Sequence, residues 1–160
     1  MNRRFIGIAD IIELFLANGA NINDKNSTGS TPLHILVCTK NYWSSLYLDG
    51  YDNSQDTVIS LLKLLLKKGA SINAQDDNGD TPLHLAVETQ HEEVILVLLS
   101  NNCDTSLVNK ANQTPLALAM TIRQCNTMII AMLENPEEFI KPAEKVYVEG
   151  KDEVEGANQV

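Results

Sequence analysis

A chain of 160 residues with 44% hydrophobic side chains can fill one core but is too short for two comfortable domains. Twelve basic residues against 21 acidic ones leave a net charge of −9, which argues against a nucleic-acid or anionic-membrane surface, since both need a positive footprint. The balance favours a protein partner that carries a basic segment.

In chain order, the first predicted element is a helix with Ile8, Ile11, Ile12, Phe15 and Leu16 at helical spacing, ended by Gly19. The preceding "MNRRFIG" imitates the start of a secretory leader, but Asp10 and Glu13 interrupt the apolar run, so none is expected. Gly29 supplies a turn, and Thr31 is placed to cap a helix that starts at Pro32, where a missing N–H costs nothing. Then comes "NYWSSLYLDGYDNSQD", residues 41–56, with the only tryptophan and three of the four tyrosines. The next helix carries Val58, Leu61, Leu62, Leu65 and Leu66 and ends at Gly69. Gly79 and Thr81-Pro82 repeat the turn and cap, and a helix with Val94, Ile95, Leu98 and Leu99 follows, ended by Asn102 in place of glycine. Asn112, Thr114-Pro115 and a weaker stripe of Thr127, Met128, Ala131 and Met132 close the pattern. The tail "ENPEEFIKPAEKVYVEGKDEVEGANQV" has little to pack: a capping turn over 137–141 and a flexible acidic remainder are expected.

The elements repeat. "STPLHILVC" at 30–38, "DTPLHLAVE" at 80–88 and "QTPLALAMT" at 113–121 stand 50 and 33 residues apart, and so do "FLANGANIND", "LLKKGASINA" and "LLSNNCDTSL". The period is therefore 33, with 17 residues added once, between the two helices of the second unit. These motifs, GxTPLHxA and LLxxGAxxN at this period, resemble the ankyrin repeat family over about residues 8–133. The resemblance implies a mostly α solenoid of stacked helix-turn-helix units with β-hairpin-like fingers. It predicts an ankyrin domain at 1–135: a half repeat at 1–25, a repeat at 26–75 with an insertion near 40–56, a repeat at 76–108 and a terminal repeat at 109–135. The first unit lacks a TPLH helix, and the fourth has Ala117 where the others have histidine.

Chemistry is scarce. His34 and His84 sit three residues after a capping threonine, where the resemblance implies a structural pairing, and His91 falls at the turn between helices. No nucleophile, phosphate loop or metal-like spacing accompanies them, so neither catalysis nor a cofactor or metal is expected. Cys38, Cys103 and Cys125 are an odd set without metal spacing, read as free thiols buried in a reducing compartment.

Function then falls to the surface. The resemblance implies contacts from the fingers and the open side of the first helices. By position these are Ser27, Thr28, Ser30, Cys38 and Thr39, then Asp77, Asn78, Asp80, Glu88 and Thr89, then Lys110, Ala111, Gln113, Thr121 and Ile122. Asp76 adds to the acidic surface of the third unit. Tyr42, Trp43, Tyr47 and Tyr51 are added because such rings often dominate interface energy and a loop does not need them. The expected role is a cytoplasmic, non-enzymatic protein-interaction module, an adaptor or stoichiometric inhibitor, with no nucleic acid or membrane partner. It is expected to be a monomer or to self-associate weakly through its N-terminal half repeat. Two alternatives stand beside it: the targeting part of a larger enzyme, or a microbial effector in a host cytosol, the latter suggested by 16 asparagines against 12 alanines.

Overall fold

A computed structural model of the chain describes residues 8–38 and 55–140. The Met1–Gly7 arm, the aromatic residues of 41–56 and the tail beyond 140 lie outside the described residues. Among those described there are eight helices and no strand. They are α1 (Ile8–Ala17), α2 (Pro32–Cys38), α3 (Gln55–Lys67), α4 (Pro82–Glu88), α5 (Glu92–Ser100), α6 (Pro115–Thr121), α7 (Thr127–Glu134) and α8 (Pro136–Phe139).

The inner helices α2, α4 and α6 all start with proline and are all seven residues long. Their starts are set by threonine. Thr81 is extended (φ −88°, ψ 165°), its hydroxyl accepts from His84 N, and its own N–H donates to the His84 ring at 3.2 Å. This is a capping box with histidine in the place where glutamate or glutamine commonly stands. Thr114 accepts from Ala117 N at 3.2 Å, a cap without the reciprocal bond. Thr81→Ala is expected to lower stability by ~1 kcal/mol, read as a shifted urea midpoint at constant m-value. No shift would mean that the histidine alone holds the helix start.

The outer helices α1, α3 and α5 end alike. Ala70 N donates to Leu65 O and Gly69 N to Leu66 O, and the same pair of bonds recurs at Gly19–Ala20 and Asn102–Cys103. Gly19 (φ 88°), Gly69 (φ 91°) and Asn102 (φ 57°) take the left-handed conformation this ending requires. Helix α3 has 13 residues against nine in α5, one more turn at its start.

Inner helices stack on inner (α2, α4, α6) and outer on outer (α3, α5, α7), with α8 closing over α5 and α7. Leu62, Val94, Ile95, Leu98 and Ile129 are wholly buried between the layers. Phe139 and Ile140 pack against this core from α8. No helix among the described residues is long and apolar enough to cross a membrane.

Two helices depart from the sequence pattern. In α7 the buried stripe is Ile129, Met132 and Leu133, while Thr127 is exposed and Met128 is 46% exposed. Asn126 caps this helix, accepting from Met128 N at 3.0 Å, and the buried stripe lies one position on from the expected one. In α1, Ile11 and Phe15 are exposed and Ile12 and Leu16 only half-buried. Among the described residues no inner helix precedes α1 to cover them.

Candidate functional site

The fingers are built from one residue outward. In each, the first side chain accepts two backbone bonds: Asn26 Oδ1 from Thr28 N and Ser30 N (both 2.9 Å), and Asp76 Oδ1 from Asn78 N (2.8 Å) and Asp80 N (2.9 Å). Asn109 Oδ1 accepts from Ala111 N and Gln113 N, both at 3.1 Å. A backbone bond of 3.0 Å closes each loop, from residues 26, 76 and 109 to residues 30, 80 and 113. The β-hairpin-like fingers are thus tight turns held by an Asn or Asp side chain. They are laddered to one another by Asp77 N to Thr28 O (3.1 Å) and Lys110 N to Asn78 O (2.8 Å).

The histidines complete the stitching. His34 and His84 are fully buried, and each Nδ1 lies within hydrogen-bonding distance of its threonine hydroxyl, at 2.8 and 2.9 Å. Each Nε2 reaches the next unit, to Asp80 O at 3.1 Å and Gln113 O at 2.9 Å. A carbonyl can only accept, so the proton is assigned to Nε2 and Nδ1 receives the threonine N–H. Burial pushes the pKa of His34 below its ordinary value, against smaller opposing effects of the Asp80 carbonyl and the Asp76 charge. His91 is also buried, at the start of α5, with Nδ1 3.5 Å from a Glu93 oxygen.

The surface residues named from sequence divide by what their atoms already do. Asp80 and Gln113 are half-buried; their carbonyls receive the histidine bonds, and Asp80 Oδ1 also accepts from Asn109 Nδ2 at 2.8 Å. Thr89 directs its hydroxyl to Leu85 O at 2.8 Å, closing α4. Asp77, Asn78, Glu88, Lys110 and Ala111 present exposed side chains along the finger and inner-helix side, and Ser27, Thr28 and Thr121 are exposed there too. Tyr42, Trp43, Tyr47, Tyr51 and Thr39 lie outside the described residues.

Cys38, expected to be buried, is exposed, because it is the last residue of α2 and sits on the open side. Its thiol pKa is raised, mainly by partial burial of the sulfur within an otherwise exposed residue and further by the charges of Glu88 and Asp76. Cys103 and Cys125 are half-buried, and burial pushes Cys103 up to about 12. These thiols are therefore protonated at neutral pH and weak nucleophiles.

Sequence reasoning missed two features. Asn126 N donates to Gln90 Oε1 at 3.1 Å, and its side chain donates to Glu92, joining the third and fourth units opposite the fingers. Gln90 adopts φ 53° there, a conformation uncommon for glutamine, and nothing in its residue type announces it. The second feature is a cavity of about 420 Å³ bounded by α1, α2 and α3, lined almost wholly by apolar side chains. The exposed apolar residues of α1 were its signal.

The repeat period, the stacked inner and outer helices and the threonine–histidine stitches define an α-helical repeat protein. Family models agree: one for ankyrin repeats in three copies matches residues 54–141, and one for a single ankyrin repeat matches residues 28–77. The chain belongs to the ankyrin repeat family. A search of curated proteins finds no match. Ankyrin repeats are generally protein-interaction modules.

Proposed function

We propose that this chain is a non-enzymatic module that covers the surface of a protein partner carrying a basic segment, as an adaptor or stoichiometric inhibitor. The observation that carries the reading is the charge of the later units. Residues 70–140 hold ten acidic side chains and only two basic ones, Lys110 and Arg123. Asp77 stands exposed on a finger and Glu88 stands exposed at the end of α4. His34 and His84, the groups best suited to acid–base chemistry, are wholly buried and committed to the stack. Contact by these side chains steers encounter, while rings such as Trp43 and Tyr47 supply affinity.

The test is quantitative binding of a partner captured by the intact chain. Asp77→Asn with Glu88→Gln is expected to slow association and to flatten its dependence on salt. Trp43→Ala and Tyr47→Ala are each expected to weaken binding by ~2 kcal/mol without shifting the melting temperature. Unchanged binding in all three variants would remove this surface from consideration.

A further inference from the structure

Asparagine is followed by glycine twice, at Asn18–Gly19 and Asn78–Gly79. Glycine has no Cβ to obstruct its own nitrogen, which can therefore reach the side-chain amide before it. Both asparagines are exposed, and both glycines have positive φ, 88° and 77°. Both glycine N–H groups are also engaged, Gly19 with Leu16 O at 3.1 Å and Gly79 with Asp76 O at 3.0 Å. Residue type and exposure do not separate the two sites; what holds each in place does.

Around Asn78 the bonds run across the stack. Asn78 N donates to Asp76 Oδ1, Gly79 O accepts from Gln75 Nε2, and Asn78 O accepts from Lys110 N of the next unit. The adjoining Asp77 N is bonded to Thr28 O of the unit before. Freeing this finger takes apart rungs on both sides. Around Asn18 every described hydrogen bond returns to α1. Asn18 N donates to Leu14 O and Phe15 O, Asn18 Nδ2 to Leu14 O at 2.7 Å, and Ala20 N to Phe15 O. These bonds last only while α1 is helical, and a ten-residue helix is marginal by itself. From Asp10 to Ala17 all side chains are exposed except Ile12 and Leu16, which are half-buried. The ion pair of Glu13 with Lys68 is exposed and contributes little. Further on, Asn23 is anchored, donating to Gly69 O and accepting from Ser71 N, so α1 can leave while the rest of the stack stays folded.

We propose that Asn18 is a site of spontaneous deamidation, opened by local release of α1, and that the like step at Asn78 is held closed by the fingers. Once α1 unwinds, Gly19 N attacks Asn18 Cγ and loses its proton, and Nδ2 departs as ammonia. Water then opens the cyclic imide at either carbonyl, leaving aspartate or isoaspartate at position 18; nothing is oxidised or reduced. The new carboxylate replaces a donor to Leu14 O and stands at the negative end of the helix dipole, so α1 reseats less well. The conversion runs one way.

Peptide mapping by mass spectrometry tests this on the full chain held in mildly alkaline buffer. The Asn18 peptide is expected to gain the mass of amide-to-acid conversion at least about tenfold faster than the Asn78 peptide, with isoaspartate among its products. In urea above the unfolding transition the two rates should converge, because both are Asn–Gly steps. In the native buffer the amides of α1 should exchange with solvent deuterium faster than those of α5. Asn78 converting as fast as Asn18 in the folded chain overturns the proposal. So does an Asn18 that stays intact when folded but converts in urea, or an α1 as well protected as α5.

Discussion

Gly29→Ala is expected to cost roughly 2–5 kcal/mol of stability and Gly69→Ala only roughly 1–2, although both replace a glycine with positive φ. The backbone angles are similar, 71° and 91°, so the left-handed strain on an alanine is shared. What differs is the space. A Cβ on Gly69 would meet nothing within 4 Å. A Cβ on Gly29 would lie 2.7 Å from the backbone N of Asp77 and closer still to its carboxylate. That N–H is the rung that ladders the second finger to the first, so the methyl group must either displace it or break it. Gly79 is intermediate, with Lys110 N at 3.0 Å. Urea melts should rank the three alanine variants Gly29, Gly79, Gly69 in falling cost. Equal costs would show that φ alone governs these sites and that the fingers yield freely.

His84→Ala is expected to cost roughly 2–4 kcal/mol, more than the cap it helps to form. The substitution empties a fully buried site, leaves Thr81 N–H without its acceptor and removes the bond to Gln113 O in the next unit. Partner affinity should return to normal once folding is corrected for; a binding loss at unchanged stability would make the ring functional. His34 adds a dependence on pH. Its folded pKa lies below the ordinary value of 6.5, so the fold favours the neutral ring. That contribution is fully present above about pH 6.5 and is lost as pH falls from there through the lowered folded value. Burial is the leading cause, and a protonated Nδ1 would in addition be unable to accept the Thr31 N–H, now 3.2 Å away. The fall in urea midpoint between about pH 7 and pH 5 should be shallower in His34→Gln than in wild type. Identical slopes would assign the acid sensitivity to other groups.

The repeat, the caps and the helix endings were legible because each rests on a residue type with one structural use. Thr before Pro begins a helix, and Gly19, Gly69 and Asn102 end one. The oddities of the fourth unit have a single cause that the sequence does not display. Ala117 replaces histidine where, among the described residues, no further carbonyl waits for a ring. Asn112 carries a Cβ at φ 57° where, among the described residues, no further finger follows. Asn23 and Asn73 reach forward to Ser71 N (2.7 Å) and Asp104 N (2.9 Å), and Ser106 at the matching position makes only a local bond to Asp104. What pattern could not supply was three-dimensional neighbourhood. The stripe of α7 depended on which face meets α5, and the exposure of α1 on a companion that is not among the described residues. Pattern also could not show that Asp76 and Asp80 hold finger bonds with their side-chain oxygens.

The finger edge of the stack decides where chain length can change. At the fingers each unit is locked in phase with the next by ladder bonds and histidines; at the opposite edge Gln90 and Glu92 are tied to Asn126. Thr31 and Thr81 are 50 residues apart and Thr81 and Thr114 only 33, yet the Thr–His bonds measure 2.8 and 2.9 Å and both rings reach forward alike. The excess enters between Cys38 and Gln55, where α2 ends and α3 begins, away from the fingers. A guest peptide grafted between α4 and α5 would extend the same tolerant margin, whereas one extra residue in a finger would put every later unit out of step.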